Sequence, residues 1–132
     1  MIALKEGSLL AALRSSKTHL FFARSTDMGH TWSDVKSAGF PGHCPHFLRH
    51  SSGTILLAHR LPATSMHWSN DDGNSWQGPL QLDIVIGAYP SSIELPGAEV
   101  LCVYYEEGEG SGIRSVRLRV ADGKVTRVDG TR

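Results

Sequence analysis

An eight-residue motif occurs twice in this chain, as STDMGHTW at residues 25–32 and as SNDDGNSW at residues 69–76. Both copies read Ser-x-Asp-x-Gly-x-(Thr/Ser)-Trp, and their first residues are 44 positions apart. A fixed spacing of this length is typical of architectures that repeat one small structural unit. The two copies therefore constrain the fold more strongly than any other feature of the sequence.

The residue types of the motif predict a β-hairpin. An Asp side chain accepts hydrogen bonds from the N–H groups of its own turn, and Gly supplies the positive φ that such a turn requires. The Ser and Thr hydroxyls bond back to the loop, and the Trp ring packs on the neighbouring sheet. We therefore interpret the motif as structural rather than catalytic. Its positions are Ser25, Asp27, Gly29, Thr31 and Trp32 in the first copy, and Ser69, Asp71, Gly73, Ser75 and Trp76 in the second.

The remainder of the chain predicts an all-β protein. Short runs rich in β-branched and aromatic residues alternate with turn residues, and no segment sustains an apolar period of 3.6 residues. The predicted strands are Leu9–Arg14, Leu20–Arg24, His46–Arg49, Thr54–His59, Ser65–Trp68, Leu80–Asp83, Ser91–Leu95, Val100–Glu106, Ile113–Val120 and Lys124–Val128.

About four strands per repeat is the pattern of β-propeller blades. The predicted blades cover about residues 1–41, 42–84 and 85–132, and together they make one partial propeller. The first blade is expected to lack its innermost strand, and Asp122-Gly123 stands where a third motif would lie. Because a closed propeller needs four or more blades, we expect a homodimer that completes a six-bladed ring. The alternative is that the chain is a fragment of a longer protein.

Composition narrows the function classes. Thirteen basic and thirteen acidic side chains cancel, which argues against binding to nucleic acid. The apolar runs are strand-sized, no membrane segment is predicted, and the N-terminus is interpreted as folded chain rather than a signal peptide. The two cysteines, Cys44 and Cys102, are either free or paired, and they do not fix the compartment. The His43-Cys44-Pro45-His46 stretch is not a zinc signature, so no metal and no cofactor are predicted.

Three further segments accompany the motifs: LKEGSLLAALR (4–14), GHCPHFLRHSSGTILLAHR (42–60) and AYPSSIELPGAEVLCVYYE (88–106). In this order, the segments and motifs resemble the sialidase superfamily of six-bladed propellers, in which the repeated motif is called the Asp box or BNR repeat. The resemblance covers nearly the whole chain. It implies a propeller that recognises a glycan or a small carboxylated sugar.

The resemblance also implies roles for individual residues. Arg14 and Arg60 match two arginines that bind the sugar carboxylate, Tyr89 matches the nucleophile, and Glu106 matches the acid near the end of the following strand. The family's first arginine, its acid/base Asp and its Glu base would lie before Arg14. Pro90 also departs from the catalytic pattern, in which Ser follows the Tyr directly.

Each of these residues also has a structural interpretation. Arg14 and Arg60 suit salt bridges between blades, Tyr89 suits packing between blades, and Glu106 suits a solvated acidic loop. His43 begins the inner strand of the second blade and is a candidate pocket residue.

The predicted function is therefore a carbohydrate-recognising propeller without complete catalytic machinery in one chain. The alternatives are an active glycoside hydrolase of the exo-sialidase type, and a non-enzymatic interaction module or truncated fragment.

Overall fold

The computed structural model describes residues 1–128 as three four-stranded antiparallel sheets, and this described part contains no helix. Each sheet pairs its strands in chain order, so every sheet is a simple meander from an inner to an outer strand. This confirms the prediction of an all-β chain built from propeller blades. The described residues contain no helix that is long and apolar enough to span a membrane.

The strands fall into three consecutive groups. Blade 1 consists of β1 (Ile2–Ala3), β2 (Leu9–Leu13), β3 (His19–Ser25) and β4 (Lys36–Pro41). Blade 2 consists of β5 (His43–Arg49), β6 (Ile55–Arg60), β7 (Ser65–Ser69) and β8 (Gln77–Gln81). Blade 3 consists of β9 (Gly87–Glu94), β10 (Glu99–Glu106), β11 (Ile113–Ala121) and β12 (Lys124–Arg127).

The inner and outer strands differ from the prediction. The innermost strand of blade 1 is present after all, as the two-residue strand β1 paired with β2. The outer strand β4 forms in a stretch that carries no alternating pattern, and β8 begins three residues before the predicted Leu80. Pro79 lies within β8, where the outermost position of a sheet tolerates a residue without an N–H.

Both copies of the motif connect the third strand of a blade to the fourth. In the first copy, Asp27 Oδ1 accepts hydrogen bonds from Ser25 Oγ and Thr31 N, both at 2.8 Å. The hydroxyl of Thr31, its N–H and the hydroxyl of Ser25 hold the pKa of Asp27 at about 2. The second copy repeats these bonds around Asp71. In blade 3 the same connection is the tight turn at Asp122-Gly123, and both of its residues have positive φ.

Blade 2 packs one face against blade 1 and the other against blade 3. In every sheet we call the face on the side of the blade before it the preceding face, and the opposite face the following face. Between blades 1 and 2, Leu10 and Phe22 meet Ile55, Phe47 and Trp76. The interface between blades 2 and 3 contains the larger core. Its buried members are Leu56, Ala58, Met66, Leu82, Val100, Cys102, Tyr104, Val116, Leu118 and Val125. Both cysteines are free thiols, with Cys102 in this core.

The three blades have the same orientation. Their first hairpins are closed by equivalent backbone hydrogen bonds, Leu4 N to Ser8 O, His50 N to Thr54 O and Leu95 N to Glu99 O. The ends of β2, β6 and β10 and the starts of β5 and β9 consequently lie at one end of the blades. We call this end the rim.

Candidate functional site

A short backbone repeat shapes the rim. Residues 42–45 read Gly-His-Cys-Pro and residues 87–90 read Gly-Ala-Tyr-Pro, at the starts of the inner strands β5 and β9. In both strands the pairing register shifts here, and Cys44 and Tyr89 have φ values of 52° and 48°. Such bulges re-aim a side chain out of the sheet.

Glycine at the first position of this repeat is required by close packing. A Cβ on Gly42 would lie 2.7 Å from Leu20 Cδ1, and one on Gly87 would lie 2.6 Å from Thr64 Oγ1. Because of this close approach, β9 begins at a buried residue, Gly87, while Tyr89 two residues later projects outward with 62% of its surface exposed. This second repeat is visible in the sequence but was missed, because only the longer motif was used.

Four side chains meet beside this bulge: Arg60, Tyr89, Tyr105 and Glu107, which we call the rim cluster. The Tyr89 and Tyr105 rings stack with their centroids 6.2 Å apart, and the Arg60 guanidinium lies 5.9 Å from the centroid of the Tyr89 ring. Glu107 Oε1 lies 3.5 Å from Arg60 Nη1 and accepts a hydrogen bond from Tyr105 Oη at 3.4 Å. Partial burial raises the pKa of Tyr105, and the neighbouring Glu107 and Tyr89 raise it further.

The structure brings Arg60 and Tyr89 together, but it places Glu106 elsewhere. Successive side chains of a strand point to opposite faces. Tyr105 therefore faces the cluster, whereas Glu106 accepts a hydrogen bond from Arg114 Nε at 2.9 Å on the preceding face. Glu107, one residue later and outside the strand, lies beside Arg60.

Arg14 and His43 also lie at the rim, outside the cluster. His43 pairs with Arg60 in the β5–β6 register, and its Nε2 lies 3.0 Å from the Lys17 carbonyl oxygen of blade 1. Arg14 follows β2 at the position equivalent to Arg60. It is exposed and makes no hydrogen bond or ion pair with any residue in 1–128.

A cavity of about 640 Å³ lies between blades 2 and 3 on the other face of β10. Asp83 accepts a hydrogen bond from Tyr104 Oη at 2.8 Å and from Arg114 Nη1 at 2.9 Å. Burial raises the pKa of Asp83, but the bonds from Tyr104 and from two backbone N–H groups outweigh it and lower the pKa. Arg114 is shared between Asp83 and Glu106, so both carboxylates of this cavity already have a charged partner.

The histidines of the second blade lie in separate environments. His59 Nε2 and His67 Nδ1 are 2.7 Å apart between blades 1 and 2, and the Phe40 ring stacks on His67. His59 thus lies on the opposite face of β6 from Arg60. His46 packs instead against Ser92 of blade 3. Within residues 1–128, no group of three metal-binding side chains converges.

The rim cluster offers three kinds of contact on one surface. Two partly exposed aromatic rings present an apolar face, a guanidinium donates hydrogen bonds, and a carboxylate accepts them. A Tyr nucleophile requires a base within hydrogen-bond reach. No carboxylate in the described chain is hydrogen-bonded to Tyr89 Oη, since Glu107 bonds to Tyr105.

Solved structures with a similar fold come from proteins of different activities. A fungal alcohol oxidase of the AA5 family, in complex with copper, matches with a TM-score of 0.68 and 15% identity, over 98% of this chain and 29% of that chain. The intramolecular trans-sialidase from Ruminococcus gnavus, in complex with oseltamivir carboxylate, matches with a TM-score of 0.56 and 19% identity, over 85% and 27%.

A fucose lectin from Kordia zhangzhouensis, in complex with methyl-fucoside, matches with a TM-score of 0.55 and 12% identity, over 99% of this chain and 97% of that chain. In contrast, this chain spans less than a third of the length of the oxidase chain and of the trans-sialidase chain. No protein-family model matches it. At these identities the likeness shows the fold alone.

Proposed function

We propose that this chain is a carbohydrate-binding protein of the sialidase-like type and that it holds its glycan at the rim cluster. The observation that carries the proposal is the exposed, stacked pair Tyr89 and Tyr105 with Arg60 over one ring. The apolar face of a sugar ring packs on such aromatic surfaces while its hydroxyl groups need donors and acceptors at the edge. Arg60 supplies hydrogen-bond donors and Glu107 supplies an acceptor.

The similar structures support a glycan as the ligand class. The lectin binds methyl-fucoside and the trans-sialidase binds a carboxylated inhibitor, and both have this fold. In this chain the carboxylate of Glu107 lies beside Arg60, so a sugar carboxylate would meet a like charge there. We therefore propose that a neutral sugar is preferred, with neighbouring hydroxyl groups bridging Arg60 and Glu107.

Isothermal titration with methyl fucoside and with N-acetylneuraminic acid tests this proposal. Tyr89→Ala and Arg60→Gln should each weaken binding by about tenfold or more, since each removes a central contact. Met28→Ala and Lys36→Gln are matched controls, because both residues are exposed at the opposite end of the blades. Binding that is unaffected by Tyr89→Ala and Arg60→Gln would contradict the proposed site.

The Glu107→Gln variant tests the preference for a neutral sugar. Removing the negative charge should raise the affinity for N-acetylneuraminic acid relative to methyl fucoside, because the like charge next to Arg60 is gone. If the ratio of the two affinities does not change, Glu107 does not face the ligand.

Among residues 1–128 no carboxylate is hydrogen-bonded to Tyr89, so nothing there supports hydrolysis, the alternative that Tyr89 suggested. A fluorogenic sialoside should therefore release no dye above the rate of a protein-free control. Release that disappears in Tyr89→Phe would overturn the assignment to a binding protein.

A further inference from the structure

One buried residue of blade 2, Thr64, holds the segment that leads into blade 3. It lies directly before β7, in the short connection that begins after Arg60, and none of its surface is exposed. Its carbonyl accepts hydrogen bonds from Leu82 N at 2.8 Å and from Asp83 N at 3.3 Å. Its N–H and its hydroxyl both donate to the Val85 carbonyl at 3.1 Å. All the polar groups of Thr64 are therefore engaged with the connection between blades 2 and 3.

The Thr64 hydroxyl also reaches the start of β9. Gly87 N donates to Thr64 Oγ1 at 2.8 Å, and this bond is buried. Gly87 and Ala88 are buried, and Tyr89 is the first exposed residue of the strand. A main-chain N–H that loses its acceptor in the interior costs free energy, so this bond fixes the point at which β9 begins. The place of Tyr89, two residues later, depends on that point.

Tyr89 requires such a support because its backbone is strained. Its φ of 48° is one that a large side chain rarely adopts, and such a conformation persists only where the surrounding structure imposes it. The segment that carries Thr64 starts at Arg60, whose guanidinium lies 5.9 Å from the centroid of the Tyr89 ring. Thr64 thus ties the blade that supplies the guanidinium of the rim cluster to the blade that supplies its two tyrosines.

The equivalent position in blade 1 shows what the hydroxyl adds. Thr18 lies directly before β3, as Thr64 lies directly before β7, and Gly42 begins the same short repeat as Gly87. Gly42 N donates to the backbone carbonyl of Thr18 at 2.8 Å, and Thr18 is exposed. The side chain of Thr64 therefore makes a bond that the main chain of Thr18 makes in blade 1. A substitution can remove this bond in blade 2 but not in blade 1.

We propose that Thr64 is a positioning residue of the glycan site and that its hydroxyl sets the place of the Tyr89 ring against Arg60 and Tyr105. Without the hydroxyl the start of β9 relaxes, and the Tyr89 ring turns away from these two partners. The rim cluster then no longer presents its aromatic surface and its guanidinium side by side. The effect on affinity rests on the proposed function, whereas the effect on the geometry of the cluster does not.

Nuclear Overhauser effects between ring protons of the ligand-free chain test the geometry. The chain has three tyrosines, so selectively labelled tyrosine rings can be assigned. Contacts between the Tyr89 and Tyr105 rings should be present in the wild type and lost in Thr64→Val, which keeps the branched shape and removes the hydroxyl. Thr64→Ser keeps the hydroxyl and should keep the contacts. Thr18→Val is the matched control, because it makes the same change at the equivalent position, and it should also keep them.

Isothermal titration with methyl fucoside measures the effect on binding. Thr64→Val should weaken binding by about tenfold, as expected for the loss of the Tyr89 contact. Thr64→Ser and Thr18→Val should bind as the wild type does. Leu10→Ala lowers the stability of the contact between blades 1 and 2 and should also leave binding unchanged, so it separates a loss of stability from a displaced ring.

The ring contacts decide the role of Thr64. If the wild type lacks them, if Thr64→Val keeps them, or if Thr64→Ser or Thr18→Val loses them, Thr64 does not position Tyr89. Should Thr64→Val fail to fold, Thr64→Ala removes the same hydroxyl without a branched side chain and gives the same readings. A wild type that shows the ring contacts and does not bind methyl fucoside contradicts the glycan site alone, because the contacts in the variants still test the positioning.

Discussion

The contact between blades 2 and 3 and the contact between blades 1 and 2 use the same strand faces with different side chains. Leu56, Met66 and Leu118 are fully buried in the first, which is largely aliphatic. In the second, aromatic rings surround the buried pair His59 and His67. In both contacts, nevertheless, a third-strand side chain donates to a glycine carbonyl of the next blade, Arg24 to Gly73 and Trp68 to Gly123, each at 2.9 Å. We call this shared bond the latch. The backbone faces and the latch set the geometry, and the side chains that fill the gap can differ.

The largest expected effect is the loss of a core leucine. Leu118→Ala leaves a cavity in the well-packed contact between blades 2 and 3 and should lower the free energy of unfolding by about 3–5 kcal/mol. Leu10→Ala in the contact between blades 1 and 2 should cost less, about 2–3 kcal/mol, because the cluster around it is smaller. Urea unfolding of both variants measures the difference. Equal losses would mean that the two contacts are equally well packed.

The second prediction concerns acid stability. Burial lowers the pKa values of His59 and His67 from 6.5 to about 4. For His59 the charge of His67 contributes to the same shift. The folded state then binds fewer protons than the unfolded state between these values. The free energy of unfolding should have its full value above pH 6.5 and should fall as the pH drops to 4, by about 3 kcal/mol from His59 alone.

The double variant His59→Leu, His67→Met provides the comparison for this pH effect. Its free energy of unfolding should fall by less between pH 6.5 and pH 4, and the part that remains includes His46, whose pKa is also lowered by burial. The motif carboxylates Asp27 and Asp71, whose pKa is about 2, lose their contribution only below about pH 4 in both proteins. A double variant that keeps the wild-type slope would place the acid sensitivity outside the contact between blades 1 and 2.

The smallest expected effect comes from the latch itself. Arg24→Met and Trp68→Phe each remove the donor and keep most of the side-chain volume, so each should cost about 1 kcal/mol. Thermal unfolding compares the two variants directly. If only one of them is destabilised, the latch is not a shared feature of the two contacts.

Features encoded by adjacent residues were predictable from the sequence. The motif hairpins follow from Asp and Gly within one turn, and the position of Arg60 follows from the end of a regular strand. The outer strands β4 and β8 were misplaced because edge strands exposed to solvent carry no apolar alternation. Their pairing depends on the strand next to them.

The membership of the rim cluster was not predictable, because it depends on tertiary contacts. The bulge at Tyr89 forms where Gly87 approaches Thr64 and Tyr104, which lie 23 and 17 positions away in the chain. That bulge decides which face of β10 the Tyr89 ring meets. As a result Tyr105 and Glu107 join the cluster, and Glu106 pairs with Arg114.

The binding of a glycan at the rim cluster is tested most directly by nuclear magnetic resonance of the ¹⁵N-labelled chain during titration with methyl fucoside. The amide shifts should change around Arg60, Tyr89 and Tyr105–Glu107, and should stay constant in the two motifs at the opposite end of the blades. Shift changes confined to the cavity of Asp83 and Arg114, or no saturable change at all, would contradict the account.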